Sequence, residues 1–146
     1  MKKIILIENK DKKKIVYYDE YFDEFGILNQ IRCWGCDTEC WEEHTKGSLD
    51  LDEFKKVFML FKGTSDNDEI VVNDIPDAAV NLSRDRYIKL SKDIVVVLHE
   101  FHIVDEDYWS THGGFIINRD EFEAMEKLYK EAKEGTKNEG RHKKYN

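Results

Sequence analysis

Apolar residues in this chain come in short runs separated by polar stretches, and the spacing inside each run predicts an element. Residues 3–8 and 15–18 are short apolar runs flanking the polar stretch Asn9–Lys14, which predicts an N-terminal β-hairpin. Asp19 then stands where it can cap a helix carrying Phe22, Phe25, Leu28 and Ile31 at helical spacing, with Gly26 as its weak point. A second helix is better marked. Asp50 and Glu53 form a capping pair, Leu51, Phe54, Val57, Phe58 and Phe61 make one stripe, and Gly63 ends it.

Ile70-Val71-Val72 predicts a strand, closed by Ile75-Pro76-Asp77 because proline donates no ladder hydrogen bond. Tyr87–Leu90 and Ile94–Val104, joined by Ser91-Lys92-Asp93, predict a hairpin whose second arm is long and β-branched. Residues 105–114 read as a loop in which Gly113-Gly114 turns into a short strand, Phe115–Ile117. Asn118 and Glu121 cap a final helix with Phe122, Met125, Leu128, Tyr129 and Ala132 facing inward and Gly135 closing it. Residues 136–146 are left as a basic, disordered tail. No internal repeat and no linker stands out. The expected fold class is a single α+β domain over residues 1–135. It has one antiparallel sheet built from hairpins and two to three packed helices, including the C-terminal one.

Composition narrows the setting. An apolar fraction of 40% excludes a disordered chain. The apolar run at the start is too short for an export signal or a bilayer span, so a cytoplasmic protein without membrane contact is expected. Cys33, Cys36 and Cys40 are odd in number and crowded together, which fits a reducing compartment. Abundant Lys, Ile and Asn with only four Ala and one Pro fit an AT-rich coding source, such as a low-GC bacterium or its phages.

Charge changes the picture once it is divided along the chain. Residues 1–18 carry +4 and residues 135–146 carry +3, so of the net −8 the segment 19–134 holds −15. Such a field repels nucleic acid and favours encounter with basic surfaces. The acidic residues fall in groups: Asp19, Glu20, Asp23 and Glu24; Glu42 and Glu43; Asp50 and Asp52; Asp66 and Asp68; Asp105, Glu106 and Asp107. None has the ligand and glycine spacing of an EF-hand loop. These thirteen are the expected partner-binding residues.

Two other constellations carry candidate chemistry. Cys33, Cys36, Cys40 and His44 are a legitimate zinc set, although on one continuous helix His44 would lie about 12 Å from Cys36. The alternative is a buried helix face on which cysteine acts as a small hydrophobe. His99 and His102 differ by an odd number on a strand and project to opposite faces, with His99 expected in the core. His112 is a loop residue that could serve as ligand or base. No nucleophile elbow and no phosphate-cradling glycine loop occurs, so no catalytic residue is assigned.

The expectation is a non-catalytic acidic protein that binds the basic surface of a protein partner without a cofactor. This is the manner of phage or mobile-element inhibitors that imitate nucleic acid against a nucleic-acid-handling enzyme. The alternative is a small zinc-binding protein using the cysteine segment. A third reading is a nucleic-acid-binding module on residues 86–134 with Tyr87, Phe101, Tyr108 and Trp109 as a stacking platform. It is disfavoured because the body lacks a basic footprint.

Overall fold

Alternation in the first eighteen residues does produce a hairpin. In a computed structural model that describes residues 1–35, 40–63, 68–73, 81–103 and 108–144, β1 (Lys2–Glu8) pairs antiparallel with β2 (Lys12–Asp19). The Asn9 carboxamide oxygen accepts from the backbone N–H groups of Asp11 and Lys12, both at 2.9 Å, and closes the turn. The helix expected over residues 19–31 does not form. Asp19 spends its carboxylate on a turn, accepting from the N–H groups of Tyr21 and Phe22, and the chain returns as β3 (Glu24–Arg32). Gly26 explains the difference. It sits opposite Tyr17 on β2, and a Cβ there would overlap the Tyr17 ring, so glycine makes room for a cross-strand aromatic.

The strand β4 (Trp41–Asp50) completes a sheet in the order β1-β2-β3-β4, and α1 (Leu51–Lys62) follows as expected. A second sheet, β5-β6-β7-β8, is built from β5 (Glu69–Asn73), β6 (Asn81–Ser91), β7 (Ile94–Ile103) and β8 (Trp109–Asn118). The segment expected to be a loop up to Gly114 is therefore strand from Trp109 onward. The final helix, α2 (Arg119–Lys144), runs past Gly135. The expected fold class is overturned: the described residues form two four-stranded antiparallel sheets and two helices. Among the described residues strand outweighs helix, so the fold is mostly β.

The chain divides into two compact units, residues 1–51 with 120–146 and residues 52–119. In the first, Val16, Tyr18, Phe25, Ile27 and Leu49 of the β1–β4 sheet are buried with Phe122, Met125 and Leu128 of α2. Each such side chain contributes about 1.5–3 kcal/mol on burial, against about 0–1 for a surface ion pair, so apolar packing decides the fold. A β-bulge between Ile27 and Leu28 leaves Lys46 as the extra residue of β4. Its ammonium meets the fully buried Glu121 carboxylate at 2.8 Å, and Lys14 reaches the same group at 3.1 Å. In the second unit Tyr87, Val95, Val97 and Ile117 are buried with Phe54, Val57, Leu60 and Phe61 of α1. Lys89, 2% exposed, donates to the Gly63 carbonyl at 2.7 Å, where the helix end presents an acceptor.

Contrary to the expectation of no repeat, the described elements follow the order ββββαββββα, an internal repeat. Trp41/Trp109, His44/His112, Asp52/Asp120, Glu53/Glu121, Phe54/Phe122, Leu60/Leu128 and Lys62/Lys130 recur at a constant spacing of 68 residues. Strand registers agree: Tyr18–Phe25–Leu49 occupies the place of Lys89–Val95–Ile117, and Val16–Ile27 that of Tyr87–Val97. Each helix groups with the sheet of the other repeat, α1 with β5–β8 and α2 with β1–β4. The two repeats have exchanged helices.

Candidate functional site

Antiparallel pairing gathers part of the acidic set that sequence scatters. Asp19 pairs with Glu24, and Glu24 with Asp50, so three carboxylates stand in a row across β2, β3 and β4 at roughly 5 Å strand spacing. Glu20 and Asp23 join them in the β2–β3 turn, making an acidic end to the sheet. Like charges placed directly opposite one another oppose pairing. Among the described residues Asp19, Glu20, Asp23 and Glu24 make no ion pair with a lysine or arginine.

The turn between these carboxylates is tied down by hydrogen bonds. Asp23 adopts φ 53°, a left-handed conformation that aspartate tolerates better than most residues. The Tyr18 hydroxyl donates to the Asp23 carboxylate at 2.5 Å, while its ring lies 4.8 Å from that of Phe25. Burial, this hydrogen bond and the surrounding negative charge push the Tyr18 phenol up to about 12. Tyr17 is likewise raised, by burial first and then by Glu24 and Asp19. At the tip Tyr21 and Phe22 meet edge to face with ring centroids 4.8 Å apart, and they remain 88% and 68% exposed.

Other acidic candidates have different surroundings. Glu42 and Glu43 are at the opposite end of β4, where Glu43 accepts from Gln30 at 2.8 Å. Asp52 belongs to the first turn of α1, where it offsets the helix dipole. Asp68 precedes β5, its backbone carbonyl accepting from the Lys89 N–H. Asp66, Asp105, Glu106 and Asp107 fall outside the described residues. Within the first sheet the described members of the set are therefore divided between its two ends.

Cys33, Cys40 and His44 do not share a helix face. Cys33 follows β3 directly and donates its N–H to the Cys40 carbonyl at 3.0 Å, so the two half-buried cysteines stand opposite each other on neighbouring backbone. Cys36 falls outside the described residues. His44 lies four positions beyond Cys40 on extended backbone, about 13 Å away, paired with Asn29 and within 3.5 Å of Glu42. A ligand bond of about 2 Å cannot bridge that gap, so His44 leaves the zinc set. No group of three metal-binding side chains occurs among the described residues.

Of the four residues expected as a stacking platform, Phe101 and Tyr108 are exposed and the other two are engaged elsewhere. Tyr87 is buried, its hydroxyl 3.3 Å from Glu53, and Trp109 lies under the Arg84 guanidinium at 3.9 Å. Lys13 covers Trp41 at 4.6 Å in the same place of the other repeat. Arg84 and Arg86 are tied to the buried Glu100, and Arg86 also holds Glu69, whose carboxyl it lowers by that hydrogen bond. His99 and His102 do project to opposite faces, His102 against Trp109. His99, however, is half exposed and held by Asp85 at 2.5 Å, a carboxylate partner that sequence spacing gave no sign of.

No family model, curated protein or solved structure matches the chain. No helix among the described residues is long and apolar enough to cross a membrane.

Proposed function

We propose that this chain is a non-catalytic interaction protein that docks its acidic end on the basic surface of a protein partner. The observation that carries the reading is the row Asp19–Glu24–Asp50 with Glu20 and Asp23 beside it. Thirteen basic residues lie between 19 and 134, yet none is set against Asp19, Glu20, Asp23 or Glu24. A field of this sign raises the rate of encounter with a cationic surface and lends specificity. A basic groove that ordinarily holds nucleic acid is the partner surface of this kind that the composition favours. Titration with a short arginine-rich peptide, followed by amide chemical shifts, tests the location. Changes should concentrate on residues 19–24 and 50; changes scattered along α1 and α2 would sink the reading.

The cysteine segment supports a second reading. Cys33 and Cys40, brought opposite each other with Cys36 between them in sequence, offer three thiolates for a zinc ion. Zinc near one per chain in untagged protein purified without chelator is the expected result. A value near zero removes this reading.

A further inference from the structure

The charge reading leaves one feature unexplained: two strongly exposed aromatics, one of them the most exposed among the described aromatics of the first unit, are placed together at the tip of the acidic turn. Tyr21 is 88% and Phe22 68% exposed, in contact with each other and flanked in sequence by Asp19-Glu20 and Asp23-Glu24. A turn needs only small polar residues, and a solubilising charge cluster gains nothing from two bare rings. Aromatic side chains that bind partners have this character: large, held in place before contact, and rimmed by polar groups. Here they are held from below. Both N–H groups are bonded to the Asp19 carboxylate, and Tyr18 bonds the Asp23 carboxylate while its ring packs at a tilt against Phe25, so little freedom is lost on docking.

We propose that Tyr21 and Phe22 are the apolar anchor of the interface, inserting into a cleft that is apolar at its base and ringed by lysine or arginine on a protein partner. Charge complementarity with the surrounding carboxylates selects that occupant over a neutral hydrophobic groove or an anionic lipid surface, which the same carboxylates repel. The inference rests on the docking reading above and names its contact residues.

Two synthetic peptides of equal positive charge separate the two ideas, one alternating lysine with leucine and the other alternating lysine with serine. Each is titrated into the full chain, into Tyr21→Ala/Phe22→Ala, and into a variant with Asp19, Glu20, Asp23, Glu24 and Asp50 changed to their amides. The lysine–leucine peptide is expected to bind the wild type more tightly and to lose about tenfold with the double alanine variant. The lysine–serine peptide should be indifferent to the alanines and lost with the amides. Equal binding of the lysine–leucine peptide to wild type and double alanine variant overturns the anchor while leaving the charge reading standing. Loss of neither peptide with the amide variant overturns both. The altered rings are solvent-exposed, so unchanged amide spectra outside the turn confirm folding of the alanine variant. Sedimentation of the wild type alone completes the test, since a dimer abolished by the alanines would make a second copy the occupant and overturn the basic cleft.

Discussion

Individual residues carry the sharpest consequences. Tyr18 keeps its proton in the folded state, with its phenol pushed up to about 12 against about 10 in an unfolded chain. A raised folded value means that this contribution to stability is complete below pH 10 and is lost as pH rises towards 12. Denaturation measured across that window should show wild type falling faster than Tyr18→Phe, which lacks the titrating group. Glu121 is a second such residue. It is fully buried between Lys14 and Lys46, and Glu121→Ala strands two ammonium groups at the helix–sheet interface. The expected loss is about 3 kcal/mol in urea denaturation, at the lower end for a broken buried pair because both lysines keep some solvent. Neither property was legible in the sequence. Lys14 and Glu121 are over a hundred positions apart, and only a bulge turns Lys46 towards them.

Elements were legible where one periodicity had no rival. The stripe Leu51, Phe54, Val57, Phe58 and Phe61 gave α1, and the β-branched run from Ile94 gave β7. Reading failed where local chemistry is shared between structures. Asp19 accepting from N–H groups two and three residues on serves a turn as well as a helix cap, and Phe22 and Phe25 looked like one helical face although Phe22 is a turn residue. Gly113-Gly114 looked like a turn but lies within β8, because a Cβ on Gly114 would overlap the Val97 carbonyl of the neighbouring strand. Backbone cannot swing aside as a side chain does. Gly114→Ala should therefore lower the melting temperature by several degrees, while Gly113→Ala, whose Cβ would meet only the His99 ring at 4.0 Å, should cost less.

At the scale of the whole molecule, the repeat and its exchanged helices make a prediction of their own. Each repeat supplies the helix that covers the other's sheet, so neither piece buries its apolar face alone. A protease site introduced between Gly63 and Asp68 should yield two fragments that stay together on gel filtration and part only in denaturant. Fragments that separate in native buffer would refute the exchange. The repeat escaped a sequence reading because its identities cluster in Trp-x-x-His and Asp-Glu-Phe, while the remaining strands share only burial and register. The acidic end was half legible for a related reason. Asp19 to Glu24 is visible as a run, but Asp50 joins it only through the pairing of β3 with β4.

The central claim is that this acidic end recognises one basic partner. Its most direct test is affinity capture from a bacterial lysate at moderate salt, with wild type and the five-residue amide variant side by side and mass spectrometry as the readout. The account predicts one dominant protein with a basic surface, retained by wild type and absent from the variant. The same set of proteins on both, or none on either, would contradict it.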